Sequence, residues 1–281
     1  MLDKYFKYRQ NKTNFKTEVR SGAAVFLTMA YILALNPMIL SAGGFDKPSV
    51  FLATIIATAV GCGIMALWAR TWPVALSSGM GLNGFIGFVV CGAMGYSPAE
   101  ALGAVFVAGV LFVAASITPL REWIINSIPK SLKLGIGSGI GFFLAVIGFE
   151  IMGLTVPSND PTIIKLGSLN NILVLFGLAA LLTMIVLDKL NIKGSIVISM
   201  LFWTVASWIF IPADILNANF SAFQGIFSLN LPEMKHFMTF DLSKALSAGM
   251  MTVVFTLFFV DIFDSMGTLV SVANVAGKVD K

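Results

Sequence analysis

The chain has 281 residues, of which 57% are hydrophobic and 11% are charged, with a formal net charge of +4 at pH 7. Soluble domains carry about 25% charged residues, so this composition excludes a soluble fold and predicts an all-α polytopic membrane protein. The basic residues fall in short loops and at the N-terminus, as bilayer topology requires, so the positive charge does not indicate nucleic-acid binding.

Eight apolar segments follow one another, most of them close to the roughly 20 residues that a spanning helix needs. A basic, polar terminus, residues 1–20, precedes them, and no cleavable signal peptide is predicted. Seven segments lie within 21–211, and a polar stretch, 212–244, separates them from the last segment in 245–281. The predicted segments are residues 21–42, 50–69, 74–93, 99–118, 132–153, 171–187, 194–211 and 245–276.

The basic residues predict the orientation of these segments. With the N-terminus in the cytoplasm and alternating crossings, the inner side receives all 18 lysines and arginines except Lys47, Lys165, Lys235 and Lys244. This distribution follows the positive-inside rule. Omitting the third segment would move the basic residues of 121–133 outside, so the distribution favours a third crossing. The pattern predicts a multi-pass protein of the cytoplasmic membrane, with a cytoplasmic N-terminus and an extracytoplasmic loop at 212–244.

The third segment is interrupted by the glycine-rich stretch Gly79–Gly84, in which each glycine weakens a helix by about 1 kcal/mol relative to alanine. Irregular backbone at membrane depth is tolerated where it is buried in protein or lines a cavity. We expect a short strand over Val74–Ser78, then a half-helix from near Met80 whose N–H groups face the membrane middle. The alternative is close helix packing through small residues, although Asn83 adds a polar side chain that packing does not need.

Two acidic residues, Asp261 and Asp264, lie in the otherwise apolar last segment. A carboxylate at bilayer depth costs about 2.5–3.5 kcal/mol on insertion scales, and it usually faces a protein interior or a wet cavity on an ion or substrate path. Three positions apart, the two lie on one helical face, which Thr268 continues. We expect buried carboxylates that exchange a proton or accept N–H donors from a flat base. The alternative is a structural acid bonded to a neighbouring helix.

Other polar and small residues predict no catalytic chemistry. Cys62 and Cys91 lack metal-ligand spacing, and the sole histidine, His236, lies in a polar loop, so no metal, cofactor or enzymatic reaction is predicted. The glycines of 135–141 predict a face for close helix packing. Asn36 precedes Pro37 in the first segment, where it offers polar groups to a site or belongs to a structural kink.

Three motifs together are similar to the AzgA-like purine permeases, within the wider superfamily that includes xanthine and uracil carriers. They are Thr17–Pro37, Gly79–Phe85 (GMGLNGF) and Phe259–Gly277 (FVDIFDSMGTLVSVANVAG), in the family's order. The resemblance covers essentially the whole chain, and the last motif is the most specific. It implies two inverted repeats of about seven segments each, so this chain would be the first repeat and the first helix of the second.

The resemblance implies proton-coupled uptake of adenine, guanine or hypoxanthine across the cytoplasmic membrane. By motif, Asp264 matches the acid that binds the base, and the glycine-rich stretch matches the broken element of the third segment. The implied substrate-binding residues are Gly79, Met80, Gly81, Leu82, Asn83, Asp264 and Thr268. The implied proton-coupling residues are Asp261 and Asp264.

The chain departs from the family pattern in two ways. Ser77 and Ser78 stand where relatives read Ala-Pro, and Gly84 stands where they read alanine, which we expect to alter affinity or base preference. The chain also ends at Lys281 before a tenth segment, so we expect a fragment or a truncated gene product that does not transport alone.

Other functions remain open from the sequence. The alternatives are a carrier for xanthine, uracil or another small anion, a channel, and a non-transporting membrane scaffold; counterflow of labelled base separates a carrier from the last two. The predicted partners are a purine nucleobase, a proton and membrane lipid. The sequence leaves open which purine is preferred and whether the chain forms a homodimer.

Overall fold

The computed structural model of the chain describes residues 5–6, 13–69, 74–119, 123–124, 127, 129–157, 164–192, 194–212, 215, 235, 238–275 and 277. Most of the predicted loop 212–244, including His236, and half of the terminus 1–20 lie outside these residues. Contacts divide the chain into two compact units. The first unit comprises Met1–Ile32 and Ala145–Leu231, and the second comprises Leu33–Leu144 and Pro232–Lys281. The repeat boundaries predicted from the sequence stay a prediction.

The described residues form helices and one small hairpin. The helices are α1 (Phe15–Met29), α2 (Ile32–Ser41), α3 (Lys47–Ile64), α4 (Met80–Gly84), α5 (Pro98–Ile117), α6 (Lys130–Met152), α7 (Ile172–Lys189), α8 (Ser195–Phe210), α9 (Leu242–Ala245) and α10 (Ala248–Val275). Helix α3 continues as π-helical turns over Met65–Ala69, and α4 continues likewise over Phe85–Ala93. The strands β1 (Thr155–Pro157) and β2 (Ile164–Leu166) pair antiparallel, with Val156 opposite Lys165.

Several helices are long and apolar enough to cross a membrane, so the chain is a multi-pass helical membrane protein. The described residues contain 5 such stretches, namely Phe15–Ser41, Lys47–Ala69, Pro98–Ile117, Ile172–Lys189 and Ala248–Leu269. Shorter apolar helices cover Met80–Ala93, Gly141–Met152 and Ser195–Phe210. Each predicted segment overlaps a helix, and the first divides at residues 30–31 into α1 and α2, with Pro37 inside α2.

Side-chain caps determine where two helices of the second unit begin. Ser97 starts α5 with a capping box: its Oγ accepts from the Glu100 N–H at 3.4 Å, and Glu100 Oε2 accepts from the Ser97 N–H at 2.8 Å. Asp46 caps α3, because its carboxylate accepts hydrogen bonds from the N–H and the hydroxyl of Ser49. These hydrogen bonds, together with the Lys235 ammonium 3.6 Å away, lower the pKa of the Asp46 carboxyl. Both helices therefore start at a residue that the sequence specifies locally.

The core of the second unit lies between α5 and α10. Small side chains on α5, including Ala101, Ala104 and Ala108, are buried in one cluster with Val254 and Leu257 of α10. Alanines let two helices approach closely, which is the packing expected when lipid supplies no hydrophobic driving force between helices. The face of α10 that carries Val254 and Leu257 is thereby fixed against α5.

In the first unit, α7 and α8 are joined by polar side chains as well as by apolar packing. Ser199 Oγ donates to the Ala180 carbonyl at 2.8 Å, and the Trp203 ring N–H donates to Thr183 Oγ1 at 3.0 Å. The ring of Phe176 meets the Trp203 ring edge to face, with centroids 5.3 Å apart. These contacts make α7 and α8 a paired element of that unit.

Candidate functional site

The irregular stretch before α4 runs beside α3 and is tied to it by side chains. Thr58 Oγ1 and Ser77 Oγ are 2.7 Å apart, and Cys62 Sγ lies 3.2 Å from the Leu76 carbonyl oxygen and 3.3 Å from its nitrogen. Residues 74–79 carry no regular secondary structure. The expected short strand is therefore an irregular segment whose polar groups bond to helix side chains, because no neighbouring strand among the described residues pairs with it.

Helix α4 begins at Met80 with no side-chain cap. Gly79 is the N-cap residue, with φ −74° and ψ 115°, and the first helical bond runs from the Asn83 N–H to the Gly79 carbonyl at 3.1 Å. The N–H groups of Met80, Gly81 and Leu82 stand before that first bond and have no acceptor within the helix. This end of the helix consequently presents N–H donors and a partial positive charge.

The carboxylate of Asp264 lies beside this helix start. A Cβ placed on Gly79 would be 3.5 Å from Asp264 Oδ2, an ordinary van der Waals distance, so the carboxylate lies close to the N-cap residue. A negative group next to a helix N-terminus is electrostatically favourable. The structure thus brings the predicted broken helix and the predicted acid of the last segment close together, although they are far apart in sequence.

The burial of the two acids differs from the sequence prediction. Asp264 and Thr268 are exposed and Asp261 is half-buried, so the expectation of buried carboxylates is wrong over the described residues. The reason is where packing ends: Ile262 is the last buried residue among the α10 side chains that the structure describes, and none of residues 263–269 is buried. Asp261 accepts from Ser265 Oγ at 3.4 Å, whereas Asp264 lies beyond the covered part of the helix.

A cavity of about 300 Å³ opens next to the Asp264 side of α10. Val260, one helical turn before Asp264, belongs to its wall. The lining residues come from α4 and its continuation, from α6 and from α10, and they are Gly81, Leu82, Phe85, Gly139, Phe143, Thr256 and Val260. The walls are almost wholly apolar, with Thr256 as the one polar side chain among these lining residues, and mostly apolar walls are typical of small-molecule sites of this size.

Five of these lining residues were not identified by the sequence analysis. The positions of Thr256 and Val260 could have identified them, because they lie eight and four residues before Asp264 and thus on its side of the helix. The glycines of α6 instead led to a different prediction. They were expected to pack closely, but a Cβ on Gly135, Gly139 or Gly141 would meet no heavy atom within 4 Å. Gly139 instead leaves room in the cavity wall.

Asn83 and Ser78 flank the helix start in different ways. The Asn83 side chain does not line the cavity; its Nδ2 donates to Asn36 Oδ1 of α2 at 2.5 Å. Ser78 Oγ is buried and has no hydrogen-bond partner among the described residues. Buried hydroxyl groups are nearly always bonded, so this one indicates a group that a ligand or a water molecule satisfies.

Comparison with known proteins places the chain among permeases. It matches the Permease family (Xan_ur_permease) over residues 16–281. A putative permease of Methanocaldococcus jannaschii is 40% identical over 284 residues, covering 100% of this chain and 62% of that protein. Adenine permease AdeP of Escherichia coli is 36% identical over 281 residues, covering 100% of this chain and 61% of AdeP. Guanine/hypoxanthine permease PbuO of Bacillus subtilis is 39% identical over 279 residues, covering 97% of this chain and 62% of PbuO.

These matches confirm the resemblance to purine permeases that the three sequence motifs indicate. The chain spans about three fifths of the length of the curated relatives it matches. The agreement extends across the described helices, because the matched region begins within α1 and includes α10. The chain therefore belongs to the Permease family, together with relatives named as adenine and guanine/hypoxanthine permeases.

Proposed function

We propose that this protein takes part in proton-coupled uptake of purine nucleobases across the cytoplasmic membrane, with the base held between Asp264 and the start of α4. The observation that carries the proposal is the proximity of Gly79 and Asp264, since a Cβ added at Gly79 would lie 3.5 Å from the carboxylate oxygen. The names of similar permeases for adenine, guanine and hypoxanthine support the class of substrate.

The chemistry of the site suits a flat heterocycle that carries both donors and acceptors. The Asp264 carboxylate accepts from an N–H of the base, and the N–H groups at the start of α4 donate to a ring nitrogen or a carbonyl oxygen. Leu82 and Phe85 supply apolar surface in the adjacent cavity, against which the face of a ring packs. The backbone of Gly79–Leu82 therefore contributes donors, whereas Asp264 contributes the acceptor.

The proton step is assigned to the two acids of α10. The Asp264 side chain is not covered by other described residues of the chain, so it is open to take up a proton with the base, and the negative charge is restored when the proton leaves on the inner side. Asp261 is half-buried and accepts a hydrogen bond from Ser265. This setting suits a second acid whose charge acts on the neighbouring Asp264 as Asp264 gains and loses its proton. Thr268 lies one turn beyond Asp264 on the same face and would extend the polar surface toward the base.

The test is Asp264→Asn in the full-length protein. We expect uptake of radiolabelled purine to fall to background at unchanged membrane abundance, because the amide neither carries a negative charge nor takes up a proton. Asp188→Asn, an exposed acid at the end of α7, is the matched control and should leave uptake unchanged. Normal uptake by Asp264→Asn would remove Asp264 from the site.

The base itself is identified by competition. Unlabelled adenine, guanine and hypoxanthine are each added during uptake of one labelled purine, with xanthine and uracil as the competitors for the alternative carriers. A carrier also exchanges labelled for unlabelled base across the membrane of loaded vesicles. Absence of such counterflow in the full-length protein would contradict a carrier and favour a channel or a scaffold.

A further inference from the structure

A chain of hydrogen bonds with one direction links α3, α2 and α4. Thr54 Oγ1 donates to the Val50 carbonyl at 2.7 Å, Asn36 Nδ2 donates to Thr54 Oγ1 at 2.8 Å, and Asn83 Nδ2 donates to Asn36 Oδ1 at 2.5 Å. Asn36 and Thr54 are each 3% exposed. Buried groups on α2 and α3 and the half-buried Asn83 of α4 are thus satisfied by one another.

The backbone carbonyl of Val50 sets the direction of the whole chain. A carbonyl only accepts, so the Thr54 hydroxyl gives its proton to it and is left as an acceptor toward Asn36. Asn36 therefore turns its NH₂ group to Thr54 and its oxygen to Asn83. Asn83 in turn directs its NH₂ group to Asn36, which commits the Asn83 side chain to α2 and leaves it out of the cavity wall.

A second contact, one turn further along, holds the same two helices together. A Cβ on Gly87 would come 2.6 Å from the Ile39 carbonyl oxygen, and one on Gly43 would come 2.9 Å from the Gly87 oxygen. The backbones of α2 and of the continuation of α4 are therefore in direct contact. The Asn83 N–H also donates to the Gly79 carbonyl and so closes the first turn of α4. The hydrogen bonds from Thr54 through Asn36 to Asn83 therefore act at the end of α4 that faces Asp264.

We infer that Asn36 and Thr54 are positioning residues which, through Asn83, hold the start of α4 against Asp264. They lie outside the cavity wall, so they act on the geometry of the site and make no contact with the base. The inference rests on the proposed function only for its effect on transport; the geometric effect is independent of it. Asn83 accordingly affects affinity for every base by a similar factor and does not select among bases.

The geometric effect is measured without a substrate. The full-length protein, with Cys62 and Cys91 replaced by alanine, receives Gly79→Cys and Asp264→Cys, and oxidative cross-linking reports how closely the two positions approach. We expect efficient cross-linking, slowed about tenfold when Thr54→Val removes one buried hydrogen bond of the chain. Thr54→Ser keeps the hydroxyl and should restore the rate. An unchanged rate in Thr54→Val would overturn the inference.

The transport effect is measured in the protein with Gly79 and Asp264 intact. We expect Thr54→Val and Asn36→Leu each to raise the uptake KM about tenfold at an unchanged maximal rate per protein in the membrane, since each breaks the same chain. The double variant should resemble either single variant, because residues of one network are not additive. The ratio of KM values among purines should stay constant in all three.

Two outcomes would contradict the positioning role. One is a KM that changes in Asn83→Ala but not in Asn36→Leu, with an altered preference among purines, because that pattern belongs to a direct contact. The other is multiplied effects in the double variant. Failure of the unaltered protein to take up any purine would instead reject the proposed function, and the cross-linking result would still decide the positioning role.

Discussion

At the scale of single residues, some polar side chains near α4 are hydrogen-bonded to other side chains, and one has no such partner. Asn83 is bonded to Asn36, and Ser77 is bonded to Thr58, whereas Ser78 Oγ is buried with no partner among the described residues. A buried hydroxyl that no side chain, water or ligand satisfies costs about 1–3 kcal/mol. The position of Ser78 next to Gly79 therefore suits a hydroxyl that bonds to a bound molecule.

Ser78→Ala tests this role. We expect the melting temperature of the ligand-free protein to rise or stay the same, because an unsatisfied group is removed, and the uptake KM to rise severalfold, the loss of about 0.5–1.5 kcal/mol. Ser77→Ala is the matched control; it removes a hydroxyl that is bonded to Thr58, so it should lower the melting temperature. A lower melting temperature and an unchanged KM for Ser78→Ala would assign Ser78 to packing.

At the scale of elements, the site depends on how closely α4 and its continuation approach their neighbours. The Gly87 Cα lies against the backbone of α2, and the N-cap Gly79 lies against the acid of α10. The approach at Gly87 needs a residue without a side chain, because a Cβ there would lie 2.6 Å from the Ile39 carbonyl oxygen, whereas a Cβ on Gly79 would meet Asp264 Oδ2 at an ordinary 3.5 Å. The extended run of glycines in this segment therefore serves two different neighbours, one structural and one at the candidate site.

Gly87→Ala should disturb the close packing between α2 and the continuation of α4. Its added Cβ would meet the Ile39 carbonyl oxygen at 2.6 Å, and we expect a loss of about 1–3 kcal/mol of stability with a lower melting temperature in detergent. Gly109→Ala in α5 is the control, because a Cβ there meets no heavy atom within 4 Å. It should leave the melting temperature unchanged or raise it. Equal melting temperatures for the two variants would show that this approach adapts without cost.

At the scale of the whole molecule, loops of the second unit meet at one end. Lys244 pairs with Glu100 at 3.8 Å, Lys235 pairs with Asp46 at 3.6 Å, and the Asp241 N–H donates to the Ala99 carbonyl at 3.1 Å. The alternating topology assigns all of these loops to the outer side. Loops on the same side of the membrane can contact one another, so these contacts agree with the assignment. The orientation of the chain in the membrane stays a prediction.

Labelling of single cysteines determines the orientation. In the full-length protein without Cys62 and Cys91, we expect Lys165→Cys in the β-hairpin to react with a membrane-impermeant maleimide in intact cells. Lys189→Cys, at the end of α7, should react only after permeabilisation; both side chains are exposed, so access depends on the membrane. The reverse pattern would place the N-terminus outside and reject the orientation derived from the positive charges.

The sequence by itself determined the class of protein, the family and the approximate helices. Composition and apolar periodicity are properties of short stretches, so they identify spanning helices without knowledge of their neighbours. The glycines of 79–84 also located the start of α4 to within a residue or two, since weak helix propensity and missing caps act locally. Asp264 was singled out for the same reason: a charge in an apolar segment is visible in the chain alone.

Only the tertiary structure decided how these residues are used. Burial of Asp264 depends on where the packing on α10 ends, and the role of Asn83 depends on Asn36 and Thr54, 47 and 29 positions earlier in the chain. The walls of the cavity likewise come from three helices, including a glycine of α6 that local pattern assigned to packing. Such contacts join distant segments, and no local preference of the sequence specifies their geometry.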